Sequence, residues 1–167
     1  MIHFGILYGM GLAGLSAMTN KSIEEVKEFL NSWYDLFPGA RRFRRKLIKD
    51  TEKNGYMVNL FGRRWIIDPS EAYKSVNYMV QGTCGDIVKK AMIRIFKYMN
   101  ENNLESKILS SIHDEIILEI PKNEFNHLDK YVQFSTDFSE FSFPLKVEVK
   151  YSDESWGKKK EWILNNV

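Results

Sequence analysis

One segment restricts the fold more than any other. Two largely apolar runs, residues 107–112 and 116–120, enclose His113, Asp114 and Glu115. Runs of this length around a short polar centre predict an antiparallel β-hairpin. A purely structural hairpin favours Asn-Gly or Asp-Gly at its turn, and neither is present. Adjacent carboxylates at a strand end favour a cation, and Mg²⁺ prefers carboxylate oxygens. The three polar residues are therefore candidate functional residues.

The rest of the chain predicts an α+β fold. A chain of 167 residues can bury a sizeable core as one domain or as a compact piece of a larger one. The pattern Ser22-x-x-Glu25 is a capping box that starts a helix. Apolar periodicity and turn residues predict helices over residues 5–16, 22–37, 40–53, 70–100 and 123–134, and strands over residues 56–61, 65–67 and 144–149. The class is an antiparallel sheet carrying helices.

Composition excludes several function classes. A single cysteine, Cys84, excludes an intramolecular disulfide and a cysteine zinc site. No stretch reaches the roughly 18 apolar residues of a membrane span. We therefore expect no membrane partner and a cytoplasmic location. A net charge of +2 does not by itself indicate nucleic-acid binding, although arginine and lysine are concentrated in residues 41–49.

A second set of candidate functional residues lies near the N-terminus. Phe4 and Tyr8 are four residues apart, so a helix would place both rings on one face. Gly5 and Gly9 leave the backbone beside each ring open. Bases stack on such aromatic platforms, at about 1–3 kcal/mol each. The alternative is an aromatic stripe packed into a core, although each core glycine would cost about 1 kcal/mol relative to alanine.

Two further sets of residues suggest contact with nucleic acid. Asn77 and Gln81 are also four apart, and amides at that spacing can reach the minor-groove acceptors of base pairs. Arg63 and Arg64 follow a glycine turn, and the basic residues 41–49 precede them. Such cations either form a solvated surface or follow phosphates.

Together these features resemble the family A DNA polymerases, the DNA polymerase I family. The segment FGILYG at residues 4–9 resembles motif B of the fingers helix, and LFGRR at residues 60–64 resembles the FGRR segment that follows it. VQGT at residues 80–83 resembles the QGT segment, and IHDE at residues 112–115 resembles palm motif C. The four motifs occur in the family's order and cover nearly the whole chain.

The resemblance implies a role for each matching residue. Asp114 would be a carboxylate ligand of two catalytic Mg²⁺ ions, with Glu115 supporting the site and His113 near the primer terminus. Phe4 would pack against an incoming deoxynucleotide and disfavour dideoxynucleotides, and Tyr8 would guard the templating position. The residues implied to touch primer-template DNA are Arg63, Arg64, Asn77 and Gln81.

The resemblance also implies that parts of the family's site lie upstream. Motif A, the thumb and the basic half of the fingers helix have no counterpart in residues 1–167. We expect residues 1–55 to derive from the helical fingers, and residues 56–167 to form the antiparallel palm sheet with its catalytic hairpin. We also expect the isolated chain to be inactive and to need an upstream segment or partner chain carrying motif A and the thumb.

Three other interpretations remain open. The first is part of a single-subunit RNA polymerase, a family that usually has a small residue where this chain has Glu115. The second is an inactive DNA-binding remnant that keeps the basic residues and the stacking surface. The third is a soluble α+β domain whose motif matches are coincidental.

Overall fold

A computed structural model describes residues 2–162 of the 167. The chain forms two compact units, Met1–Thr83 and Cys84–Val167. Both contain helices and short antiparallel strands, which confirms the α+β class. The predicted assignment of residues 1–55 to fingers and 56–167 to palm concerns subdomain identity and stays a prediction.

The helices match the predicted bounds closely over residues 22–54 and less closely elsewhere. They are α1 (Ile2–Leu7), α2 (Leu12–Thr19), α3 (Ile23–Leu36), α4 (Pro38–Asn54), α5 (Ser75–Glu101) and α6 (Leu128–Thr136). Short 3₁₀ helices, Pro69–Lys74 and Lys122–His127, replace the first turns expected for α5 and α6. No helix within residues 2–162 is both long and apolar enough to cross a membrane.

The core of the first unit is built on α3. The hydroxyl of Ser22 accepts from the Glu25 N–H, and the Glu25 carboxylate accepts from the Ser22 N–H, so the predicted capping box is present. Val26 and Trp33 are seven residues apart and therefore share the buried face of α3. They form one apolar cluster with Ile6 of α1 and with α2.

The continuous helix predicted over residues 5–16 is wrong. Gly9 has a φ of +83°, a left-handed value that interrupts the helix between α1 and α2. The backbone at Gly5, which we expected to be open beside the Phe4 ring, is covered by a side chain of the same chain. A Cβ atom there would lie 3.4 Å from the side chain of Met10. The glycine therefore accommodates packing within the chain itself.

The strands form three separate pairs within residues 2–162, whereas the sequence predicted one sheet. The pairs are β1 (Tyr56–Val58) with β2 (Arg64–Ile66), β3 (Lys107–Ile112) with β4 (Glu115–Glu119), and β5 (Lys150–Tyr151) with β6 (Lys160–Glu161), all antiparallel. Among these residues, no strand of one pair is hydrogen-bonded to a strand of another pair.

The core of the second unit joins α5, α6 and one face of the β3–β4 hairpin. Ile95 and Met99 of α5 are buried against Leu128 and Tyr131 of α6. The apolar side chains of β4 pack on this cluster from the hairpin side. Residue pairs three or four apart on each helix face the cluster, as helical periodicity requires.

The strand predicted over residues 144–149 is wrong. Leu145, Val147 and Val149 are half-buried and alternate with exposed residues, as the pattern predicted. However, the ladder begins only at β5, where Lys150 pairs with Glu161. Alternation reports which side chains face a core, whereas a strand also requires a neighbouring chain to pair with.

Candidate active site

The β3–β4 hairpin places the acidic residues at its tip. Ile112 pairs with Glu115, so His113 and Asp114 form a two-residue turn. His113 has a φ of +54°, which is uncommon for a residue other than glycine. The side chains of His113, Asp114 and Glu115 are all exposed. The hairpin therefore presents two consecutive carboxylates to solvent on a backbone held in a disfavoured conformation.

The donor set at this tip suits a hard divalent cation, because carboxylate oxygens are the ligands that Mg²⁺ prefers. Asp114 and Glu115 are the two residues that could hold such an ion. Within residues 2–162, no group of three or more His, Cys, Asp or Glu side chains is arranged to hold a metal. The described residues thus fit only part of a metal site, to which Asp114 and Glu115 could contribute two carboxylates.

The base of the hairpin is held by Glu124, a residue that the sequence analysis did not identify. Its carboxylate accepts from the backbone N–H groups of Glu105 (2.7 Å) and Ser106 (2.9 Å), and from the Ser106 hydroxyl. Glu124 is only 7% exposed. These bonds lower the pKa of the Glu124 carboxyl below its usual value, with the Ser106 hydroxyl as the main cause. The carboxylate therefore fixes the chain where it enters β3.

We expect Glu124→Gln to lower the melting temperature by on the order of 5–10 °C near neutral pH, because a charged acceptor is lost from a buried network. The folded-state pKa is lowered, so this stabilisation is complete above the usual pKa of 4.5 and is lost as the pH falls through the lowered value. Melting curves from about pH 7 to about pH 3 should therefore converge in acid. The exposed control Glu140→Gln should have little effect, and equal losses in both variants would contradict the role of Glu124.

The first unit holds the aromatic pair. Phe4 lies in α1, and Tyr8 follows its last turn, where its N–H donates to the Phe4 carbonyl at 2.9 Å. The two ring centroids are 6.1 Å apart and the planes are inclined by 22°. Phe4 is 63% exposed, and Tyr8 is half-buried. The pair is thus a partly open stacking surface and not a core stripe.

An apolar pocket connects this aromatic pair with the start of α5. Its lining includes Phe4, Tyr8, Val76 and Val80, with Arg44 of α4 at one side. A Cβ atom on Gly9 would lie 3.3 Å from Nη2 of Arg44, so the glycine admits the guanidinium. The first turns of α5, which carry Asn77 and Gln81, are therefore held beside the aromatic pair.

His3, the residue before Phe4, holds α1 in place through a hydrogen bond to the core. Its Nδ1 accepts a hydrogen bond from Nε1 of Trp33 at 2.8 Å, across thirty residues of sequence. Because Trp33 is buried in the core, this bond ties α1 to α3. The sequence showed His3 beside Phe4 but did not indicate this structural role.

Arg63 and Arg64 lie at the end of a turn that the side chain of Asn59 stabilises. The sequence analysis did not identify Asn59. The buried side-chain Oδ1 of Asn59 accepts from the N–H groups of Phe61 (3.1 Å) and Arg63 (2.9 Å). Gly62 adopts a φ of +83° within the turn. The guanidinium of Arg64 lies 4.4 Å from the centroid of the Tyr56 ring. Both arginines are exposed.

We expect Asn59→Ala to destabilise the protein by about 1–3 kcal/mol, because two backbone N–H groups lose their acceptor in a buried turn. Urea denaturation measures this loss directly. Asn31→Ala, on the exposed face of α3, is the matched control and should change stability by less than about 0.5 kcal/mol. Equal effects of the two substitutions would exclude an organising role for Asn59.

Asn77 and Gln81 lie on α5 one turn apart, with Asn77 half-buried and Gln81 exposed. Next to them, the indole of Trp65 from β2 lies 3.0 Å from a Cβ atom built on Gly82, and it stacks on Tyr78 with centroids 5.2 Å apart. Gly82 thus lets the β1–β2 hairpin pack closely on α5. Of the candidate residues, three therefore lie together at the hairpin tip of the second unit, and six lie in the first unit on or beside elements that pack against α5.

Comparison with known families gives a clear match. The profile of DNA polymerase family A matches residues 1–158. DNA polymerase I of Bacillus caldotenax is 31% identical over 161 residues, which is 90% of this chain and 18% of that protein. The thermostable DNA polymerase I of Thermus aquaticus is 33% identical over 96% of this chain and 20% of its own length.

A phage relative and a solved structure extend the comparison. The DNA polymerase of Mycobacterium phage D29 is 34% identical over 75% of this chain and 20% of that protein. The POL domain of Pol1 from M. smegmatis, in a complex with DNA primer-template and dNTP, superposes with a TM-score of 0.77 and 26% identity, over 87% of this chain and 28% of that one. The chain thus spans about a fifth of the length of the curated relatives cited.

Proposed function

The chain belongs to DNA polymerase family A, and on this premise we propose that it is the C-terminal fingers and palm portion of a DNA-directed DNA polymerase. The observation that carries the proposal is the β3–β4 tip, where Asp114 and Glu115 follow a histidine with a left-handed backbone. Such a conformation is kept where the position of a side chain matters. The proposed assignment is residues 1–55 to fingers and 56–167 to palm.

Asp114 and Glu115 would hold part of a two-Mg²⁺ site. Bound Mg²⁺ supplies charge stabilisation and an activated 3′-hydroxyl for in-line nucleotidyl transfer. The protein's own task is to keep both carboxylates in place, and the exposed tip on a buried hairpin base suits that task. His113 would lie beside the primer terminus. Two carboxylates fill only part of such a site, so the remaining ligand would come from an upstream segment.

The first unit would bind the nucleotide and the DNA. Phe4 would pack against the incoming deoxynucleotide, and Tyr8 would stand at the templating position. The open Phe4 ring supports this, since a base or sugar can pack on it. Asn77 and Gln81 would read the minor groove at the new pair, while Arg63 and Arg64 would contact the primer-template backbone.

We further propose that activity needs an upstream polypeptide carrying motif A and the thumb. The chain alone offers two carboxylates at the tip, and in-line transfer between two metal ions needs more ligands than these. The proposal therefore predicts that the purified 167-residue chain binds primer-template DNA but extends it poorly or not at all.

Primer extension with Mg²⁺ and all four deoxynucleotides tests this directly. The chain is assayed alone and then with the polypeptide encoded upstream. Extension only in the mixture would support the proposal. Robust extension by the chain alone would contradict the need for a partner. No extension in either case, with DNA binding retained, would favour an inactive DNA-binding remnant.

A further inference from the structure

The outward face of α4 carries a row of positive charge that the proposed site does not use. At 3.6 residues per turn, five basic residues fall within an arc of roughly 100° on this helix. They are Arg42, Arg45, Lys46, Lys49 and Lys53. All five are exposed. From the first to the last, the row extends about 17 Å along the helix axis.

The opposite face of α4 fixes the orientation of this row. Thr51 is fully buried there, and its hydroxyl donates to the Leu47 carbonyl at 2.8 Å. Leu47 and Ile48 are half-buried beside it. Since the apolar face packs inside the first unit, the charged face points to solvent. Rotation of α4 about its axis would expose the apolar face.

Most of the row lacks a counter-charge within the chain. Lys46 pairs with Asp50 at 2.5 Å. For Arg42, Arg45, Lys49 and Lys53, no carboxylate lies within ion-pair distance among the residues that the structure describes. Four cations held on one rigid helix repel each other, so an anionic partner of similar length would be favourable.

We propose that this face of α4 binds the sugar-phosphate backbone of a nucleic-acid strand, outside the contacts proposed for Arg63, Arg64, Asn77 and Gln81. Each strand of a DNA duplex has a phosphate every 3.4 Å along the helix axis. A row of about 17 Å therefore matches several phosphates and not one small anion. The inference rests on the proposed function, because that function brings DNA to this unit. It needs no base contact, so binding is independent of sequence.

The test compares two variants of the full chain. One changes Arg42, Arg45, Lys49 and Lys53 to Gln. The control changes four exposed lysines elsewhere to Gln, namely Lys27, Lys89, Lys122 and Lys146. Both variants remove four positive charges from a chain of net charge +2. Binding is measured by fluorescence anisotropy against salt, on a labelled single-stranded oligonucleotide, on a duplex and on anionic phospholipid vesicles.

Each phosphate contact contributes about 0.7–0.9 to the slope of log K against log salt. If all four residues contact phosphates, we expect the α4 variant to lose about 3 from that slope and to bind at least about 100-fold more weakly at low salt on one of the two DNA forms, whichever the row contacts. The control should keep the slope.

Equal losses in both variants would overturn the inference, as would an α4 variant that binds DNA normally. Vesicle binding with the same dependence on the four residues would point to a membrane surface and would also overturn it. Primer extension by the unmodified chain mixed with the upstream polypeptide is scored separately. A reduced slope with no extension in that mixture would refute the proposed function alone, and extension in the mixture with an unchanged slope would refute only the inference.

Discussion

Replacing Asp114 by Asn is expected to reduce primer extension by the reconstituted polymerase at least about 10³-fold. Asn has nearly the shape of Asp but lacks its negative charge, so the hairpin keeps its fold while the proposed metal site loses a ligand. Asp114 is exposed at the hairpin tip, so the melting temperature should hardly change. Single-turnover extension in Mg²⁺, with saturating DNA and nucleotide, measures the chemical step.

Asp153→Asn is the matched control, because Asp153 is an exposed acid outside the hairpin. It should leave extension within about twofold of the unmodified chain. If Asp114→Asn retained more than a tenth of the activity at normal stability, the hairpin tip could not be the metal-binding centre. Weaker DNA binding with unchanged single-turnover rate would instead assign Asp114 to DNA contact.

The second large effect is expected at Phe4. Phe4→Ala removes the open face of the aromatic pair and should weaken nucleotide binding by about 5- to 150-fold, since base–aromatic stacking contributes about 1–3 kcal/mol. Phe4→Tyr keeps the ring and adds a hydroxyl, which under the proposed function would lie beside the incoming nucleotide. A hydrogen bond from this hydroxyl to a charged phosphate of the nucleotide should raise the rate of dideoxynucleotide incorporation, relative to that of the deoxynucleotide, at least about tenfold.

Pre-steady-state incorporation of one deoxy- or dideoxynucleotide separates these effects. Phe143→Ala, which removes another exposed aromatic ring, is the control and should change neither value. If Phe4→Ala reduced affinity for primer-template and for nucleotide equally, the ring would serve the fold of the first unit. If Phe4→Tyr left selectivity unchanged, Phe4 would not face the nucleotide sugar.

Local chemistry made much of this fold predictable. The capping box at Ser22 acts within one helical turn, and α3 begins beside it. The turn-forming pairs Pro38-Gly39 and Asn54-Gly55, which flank the helix predicted over residues 40–53, also act locally, and α4 begins and ends beside them. The β3–β4 hairpin and its tip were also predicted to within a residue or two, because apolar runs around a short polar turn have few other solutions.

The residues that were missed act over long separations or through backbone groups. Glu124 reaches back eighteen residues to Ser106, and His3 reaches Trp33 across thirty. Asn59 bonds to N–H groups, which are the same in every non-proline residue and therefore leave no sequence signal. At Gly9, where the helix breaks, Arg44 approaches from a distant part of the sequence. In residues 144–149 the Val149 carbonyl accepts from the Trp162 N–H, and the alternation of these residues does not show where such a partner lies.

The left-handed backbone of His113 affects how this protein can change. Glycine or asparagine at that position would relax the turn and, by the usual behaviour of such positions, favour the folded state. The loosened turn would also let Asp114 sample more positions, which would slow a reaction that depends on a fixed carboxylate. Under the proposed function, such a substitution would therefore raise the melting temperature and lower the rate of primer extension together, so that stability and activity make opposite demands on residue 113.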